Sequence, residues 1–349
     1  MKTLARWYKW ILLAVIFQFC ILFYINNIFL NSDGSVSITT SEGQVKEKPV
    51  TGVFTVAAGV KEVKVSYNSR FGAYVDADGA LHIVDIKAKK DKKIAGLEDD
   101  MITFFKWLPD RDMVIYSSDT KNGKNGIIQI STYEADYGTV RDLPEIKAVS
   151  TQSKVKDIDL SPYTNVVYAQ LKTSETRSRI YRINVMNQYS NVITLGSDAI
   201  IKESAYVNKL VYQNPGEPVY VYNDTNRSKS KINIDSENAR ILDIDANDTL
   251  YIADLGTDGK VTQIYQQKIT ENSFNDDWVK TPLKEPVLPE DIVVSGSGNV
   301  YYINRSENKI INVKNDLKAS FRGEFLEVLS GTLVSIDENK VNINSLKEY

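Results

Sequence analysis

One cysteine, Cys20, and one histidine, His82, are all that 349 residues hold of the two side chains most used for soft-metal and nucleophilic chemistry. A single cysteine excludes an intrachain disulfide and a thiolate metal site. One histidine is too few for the zinc, copper and non-haem iron centres that draw on several. A Ser-His-Asp relay would have to run through His82, and no Gly-x-Ser-x-Gly elbow offers it a nucleophile. The nearest run, Ser295-Gly296-Ser297-Gly298, fits a tight turn between strands. His82, inside the strand-like ALHIVD, is therefore expected as a satisfied or surface histidine, and the sequence leads to no catalytic residue, no metal ligand and no cofactor. Charge is missing too, from Trp10 through Ser32, a run of 23 residues.

That uncharged run is long enough for a helix to cross about 30 Å of hydrocarbon. Lys2, Arg6 and Lys9 precede it, which favours a cytoplasmic N-terminus, and Trp7 and Trp10 suit the membrane interface. The run is longer than a signal-peptide core, and YINNIFLNSDG lacks a small-x-small cleavage site. Phe17, Gln18 and Phe19 stand before Cys20 where a lipobox would carry small residues. The expected organisation is a cytoplasmic start over 1–9, a transmembrane anchor over 10–30, a flexible polar tether over 31–50 and an extracytoplasmic domain over 51–349. Such a chain is a single-pass protein of the cell membrane.

Setting aside Lys2, Arg6 and Lys9 leaves 39 Lys and Arg against 45 Asp and Glu, a net charge near −6 for the exterior. That argues against a nucleic-acid partner, whose binding depends on neutralising phosphates. From Thr51 onward helical periodicity is scarce. Short alternating runs rich in Val, Ile, Tyr and Thr return every eight to twelve residues between Gly, Asn, Asp and Ser clusters, which is all-β spacing. They group into seven longer units that begin at Glu62, Ile102, Val155, Ile200, Ala239, Glu290 and Phe325. Their turn centres lie about 44 residues apart, the period of four-stranded propeller blades. The last unit has three strands, FLEVL, TLVSID and KVNINSL, and residues 51–60, TGVFTVAAGV, form an orphan strand at the other end. The fold class is thus an all-β propeller of seven blades of four antiparallel strands, preceded by one transmembrane helix. The orphan strand is expected to complete the last blade and close the ring, which removes an exposed edge.

FKWLPDRDMVIYSSD, followed by GIIQISTYEADYGTVRDL, resembles the TolB or WD40-like propeller repeat. LDIDANDTLYIADLGTDGKVTQIYQ and VVSGSGNVYYINRSENKIINVK resemble NHL or gluconolactonase-type repeats instead. Together the resemblances cover most of 60–349, although most turns lack a full Ser-Pro-Asp-Gly and no Gly-His with Trp-Asp pairing is present. They imply architecture and not activity, because propellers of these kinds serve as binding platforms, lyases, hydrolases and caps.

Asp243, Asp245, Asn247 and Asp254 have the spacing of an EF-hand loop, but Asp248 replaces its bend glycine and 249–253 read as a strand. An Asp/Asn turn between strands explains them, and Asp76-Ala77-Asp78-Gly79 likewise. Recognition is expected in the variable loops between second and third strands, with Asp119, Lys121, Lys124, Arg177, Arg179, Glu217, Asp258 and Arg305 as candidate binding residues. Trp107, Trp278 and the strand tyrosines are expected in packing. The reading is a noncatalytic binding or scaffold module for an envelope protein, a peptide or a polysaccharide. The alternatives are a lactonase or lyase-type enzyme with carboxylates at the channel mouth, and a ligand sensor coupled to a membrane partner through Gln18, Asn26 and Asn27.

Overall fold

The computed structural model describes residues 51–60, 62–95, 101–122, 125–184, 186–271 and 277–346, with backbone alone at 120–122 and 148. Of the N-terminal segment it describes Val15, Phe17, Gln18, Phe19, Ile21 and Leu22. The chain divides into two units, Met1–Glu47 and Lys48–Tyr349. In the first, the six described residues are helical and exposed. Among the described residues no helix is long and apolar enough to cross a membrane. The expected anchor over 10–30 lies mostly outside them, and 1–9 and 31–50 wholly so.

The second unit is a seven-bladed propeller. Blades 1 to 6 are antiparallel meanders that follow the chain. Their first strands are Glu62–Val65 in blade 1, Met101–Trp107 in blade 2, Lys154–Leu160 in blade 3 and Ile200–Glu203 in blade 4. Ala239–Ile244, Ile292–Val294 and Glu324–Leu329 begin blades 5, 6 and 7. These first strands touch one another in succession, and that of blade 7 touches that of blade 1, so the ring closes around a central channel. In blade 2 the outer strand is split into Thr139–Asp142 and Ile146–Val149, both paired to Asn125–Glu134. Pro144 sits in the break, where it has no amide proton for the ladder.

Closure is made by the N-terminal strand. Gly52–Thr55 pairs with Lys340–Ser345 as the fourth strand of blade 7, with Gly52 opposite Ile343 and Thr55 opposite Lys340. Residues more than 280 positions apart in the chain thus share one sheet.

A blade's β-branched and aromatic side chains point to both faces, so each blade buries them against two neighbours. The described residues hold seven apolar clusters, one in each seam. Ile115, Ile128 and Ile130 of blade 2 meet Val155, Ile158 and Leu171 of blade 3. Phe71 stacks at 6.4 Å on Trp107, whose indole donates to the Lys64 carbonyl, across the seam between blades 1 and 2. Trp278 donates to the Asn233 carbonyl and meets Tyr265 edge-on, so both tryptophans are packing groups. The first turns repeat as well. Ser69, Asn165, Asp248, Gly298 and Gly331 all adopt positive φ there.

Phe54, on the closing strand, is 5% exposed and packs with Val63, Val65 and Tyr74 of blade 1. Its ring lies so close over Gly72 that a Cβ on that residue would meet Phe54 Cζ at 2.4 Å. F54A is expected to destabilise the propeller by about 3–5 kcal/mol in urea unfolding, with an unchanged fold at low denaturant. A loss under about 1 kcal/mol would mean that the closing strand is not part of the cooperative unit.

Candidate functional site

The first strands carry charges inside otherwise apolar sequences. Lys64, Lys106, Lys202 and Asp243 each stand opposite the third residue of the next strand, and Asp159 stands opposite Tyr168 at the matching place. Side chains at this position line the channel of blades 1 to 5. They form a chain of polar bonds from blade to blade. Glu327 of blade 7 accepts from the Val65 amide at 2.6 Å, and Lys64 donates to the Phe105 carbonyl at 3.1 Å. Lys106 lies 2.9 Å from Asp159 and 3.5 Å from Asp157, and also donates to the Ile158 carbonyl. Asp159 in turn accepts from the Glu203 amide at 2.7 Å, and Lys202 pairs with Asp243 at 2.8 Å. From blade 5 to blade 6 the bonds move to the turns, where the Ala246 amide donates to the Gly296 carbonyl and Tyr251 Oη to that of Gly298.

Burial alone would lower the Lys106 ammonium, but Asp157 and Asp159 outweigh it and raise its pKa. Lys202 is likewise raised, with burial opposed by Asp243. Both lysines stay cationic and neutralise the carboxylates beside them. Burial pushes the Glu327 carboxyl up to about 7, against the Val65 amide and Lys64, which favour its ionised form. Burial also raises Glu203 well above its ordinary value, with Asp159 and Asp224 adding to the effect.

Between blades 7 and 1 the channel wall opens into a cleft of about 350 Å³. Glu62, Lys64, Glu324 and Glu327 supply its charges, and Val63, Phe325 and Leu326 are among its apolar walls. Glu62 and Glu324 are at the starts of first strands, so the cleft lies toward the face of the second-to-third-strand loops.

The candidates named from the sequence gather on that face. Glu217, Asp258 and Arg305 are in such loops and Arg177 and Arg179 at the start of a third strand; all five are exposed. Glu217 accepts from the Asn214 side chain, Asp258 from the Lys260 amide, and Arg305 lies 2.6 Å from Asp291. Asp119 is half-buried and accepts from Thr103 Oγ1 at 3.0 Å, with burial raising its pKa. Lys121 is in a strand whose side-chain position there is not described, and Lys124 is outside the described residues. The loops belong to different blades, and no described bond joins one candidate to another.

His82 is held at both ring nitrogens, Nδ1 at 2.8 Å from Asp91 and Nε2 at 3.1 Å from Asp76, and it stacks on Tyr74 at 4.7 Å. Asp245 accepts from the amides of Asn247 and Thr249, and Asp248 from those of Ala205 and Tyr206. Asp243 is spent on Lys202, and Asp254 on Ser236. The EF-hand-like spacing therefore belongs to a strand turn and a seam. Asp76 closes its own turn by accepting from the Ala80 amide at 2.8 Å. The channel charges belong to no sequence motif. Their signal is a charged residue at one fixed place in successive first strands.

No protein-family model matches the sequence, and no curated protein matches it significantly. Solved structures share its fold. The β-propeller domain of Cps50 (Swd1) from Myceliophteria thermophila aligns with a TM-score of 0.55 at 13% identity, over 85% of this chain and 100% of that one. A chain of the mitotic checkpoint complex aligns with 0.55 at 9% identity, over 90% and 99%. TolB from Acinetobacter baumannii gives 0.45 at 14%, over 74% and 62%. The two alignments at 0.55 establish a propeller and no more. The TolB-like and NHL-like runs fold into meanders of one topology.

K106M leaves Asp157 and Asp159 facing each other without their cation. It is expected to cost about 2 kcal/mol at pH 7, and less in a background where Asp159 is already Asn and one carboxylate fewer is left uncompensated. An equal cost in both backgrounds would show that the loss is packing and not charge. For Glu327 the sign is opposite to that of a salt-bridged carboxylate. Its folded pKa is raised, so the folded state keeps a proton that the unfolded chain has released, and stability falls as pH rises from about 4.5 to 7. E327Q, which keeps an oxygen for the Val65 amide, should raise the melting temperature at pH 8, worth about 2 kcal/mol, and leave it nearly unchanged at pH 4. A melting temperature lowered at pH 8 would contradict this.

Proposed function

We propose that this chain is a noncatalytic, membrane-anchored recognition module, with residues 10–30 as its single transmembrane segment, 31–50 as tether and the propeller outside. The partner is an envelope protein, a peptide or a secreted polysaccharide. One observation carries the reading: the chain enters the ring on the face opposite the candidate loops. Gly52 lies where third strands end and fourth strands begin, whereas the second-to-third-strand loops and the cleft of Glu62, Lys64, Glu324 and Glu327 lie at the other end of the sheets. A ring held from one face has the other free. The charge-free run, the three cations before it and the absence of any charge from 10 to 32 support the anchor. Mixed charge on the free face, from Arg177 and Arg179 to Glu217 and Asp258, suits a specific polar partner rather than one of uniform sign.

A lactonase or lyase-type enzyme is the second reading, and the Glu327 carboxyl beside an open cleft is what favours it. Against it, Lys106 and Lys202 stand among the channel carboxylates and neutralise them.

Crosslinking in native membranes followed by purification of the full chain, with a control lacking 51–349, tests the module. A partner recovered in near-stoichiometric amount only with the propeller is the expected result. Recovery of the same proteins with the control, together with turnover of a lactone by the full chain, would replace recognition by catalysis.

A further inference from the structure

The hairpin joining the third and fourth strands of blade 1 carries Lys87, Lys89, Lys90, Lys92 and Lys93, five cations in seven positions. All five are exposed. The acids among them are turned away. Asp91 gives one carboxylate oxygen to His82 and the other to Tyr74, and Asp85 accepts from the Ala88 amide at 2.7 Å, closing the turn in which Lys89 has φ +52°. Lys92 reaches the hydroxyl of Tyr133, a neutral partner. Lys87, Lys89 and Lys90 have no ion pair among the described residues. Five lysines against Asp85 and Asp91 leave the hairpin at +3, in a domain that is negative as a whole.

Its position is the second observation. The hairpin turn and the start of the closing strand lie on the same face, because third strands end and fourth strands begin there. They are also neighbours around the ring. A Cβ on Gly52 would lie 3.4 Å from Ile86 Cγ2, the residue just before Lys87. The hairpin that carries the cations therefore lies beside the start of the closing strand. Were 31–50 the tether of the anchor reading, twenty residues of random coil would span about 25 Å and leave this face within reach of the bilayer.

We propose that the Lys87–Lys93 hairpin is a docking surface for an anionic lipid bilayer, which turns the face where the chain enters toward the membrane and the candidate recognition loops away from it. The inference rests on the anchor reading for its geometry. Lysine ammoniums without bidentate partners suit a diffuse field of lipid phosphates, which attracts each nearby cation while the stems stay mobile. The shape agrees, since the hairpin presents its charges on an exposed turn.

The test uses the full-length protein in vesicles of phosphatidylcholine with or without phosphatidylglycerol. An impermeant amine-acylating reagent reads each lysine by mass spectrometry, and Lys260, exposed in a loop on the far face, is the reference. Labelling at Lys87, Lys89 and Lys90 should be about tenfold slower, relative to Lys260, in the anionic vesicles, and high salt should abolish the difference. In K87Q/K89Q/K90Q, a variant of exposed residues only, Lys93 should label equally in both vesicle types. Equal labelling of the hairpin in the two vesicle types overturns the proposal. So does protection by a soluble acidic polysaccharide, such as polygalacturonate, without protection by phosphatidylglycerol. Retention on vesicles after an alkaline wash reports the anchor separately. If the chain washes off, the anchor reading fails, and co-sedimentation with anionic but not neutral vesicles decides for or against the hairpin.

Discussion

The ring depends on pairing between its two ends. No blade of a propeller can bury both of its faces alone, and the seven seam clusters exist only while every blade has a neighbour on each side. Gly52–Thr55, laid against Lys340–Ser345, turns a row of sheets into a circle and covers what would be an exposed strand edge. Phe54 extends the closure from backbone to side chain, filling the space that Gly72 leaves between blades 7 and 1. The closing contact is among the most distant in sequence, so its loop-closure entropy is offset only when the other blades are already stacked.

Within that circle the polar bonds between first strands set the spacing of the blades more than they supply stability. Taking Lys106, Asp157 and Asp159 out of bulk water costs much of what their attraction returns. What the chain Glu327–Val65, Lys64–Phe105, Lys106–Asp159, Asp159–Glu203 and Lys202–Asp243 adds is register, since each bond is satisfied in one arrangement of neighbouring blades. Blades 6 and 7 show the alternative. There Val328 and Leu333 pack against Tyr301 and Ile303, and the contact is apolar. The same charges give the channel its chemical character, a set of matched pairs beside two carboxyls, Glu203 and Glu327, that burial raises well above their ordinary values.

The architecture was largely legible because it repeats. Alternating Val, Ile and Tyr runs between Gly, Asn and Asp turns marked the strands, and the spacing marked the blades, down to the orphan strand that closes the last one. Pro144 splitting the outer strand of blade 2 was not foreseen, because one proline in a variable region reads as a loop. The site was less legible. Lys106 and Asp159 are 53 positions apart, and nothing local in either strand shows that they meet. Asp243, Asp245 and Asn247 looked like ligands because turn residues and cation ligands are the same residue types, and only the amides they accept from separate the two. The lysines from 87 to 93 are plain to read, but their closeness to Gly52 arises from a pairing across the whole chain.

A propeller entered on one face and carrying its varied loops on the other has a direction, and that direction is set by the closing strand. Native-state hydrogen exchange is the most direct measurement of whether the strand is built into the ring. If it is, the amides of Phe54 and Val56, which point to Val341 of the third strand and to Asn339 just before it, exchange with the same opening free energy as those of Leu333 and Ser335 in the interior of blade 7, and all of them follow denaturant as one global unfolding. Fast exchange at Phe54 and Val56 while Leu333 and Ser335 stay protected would contradict the account, since the ring would then persist without the strand said to close it.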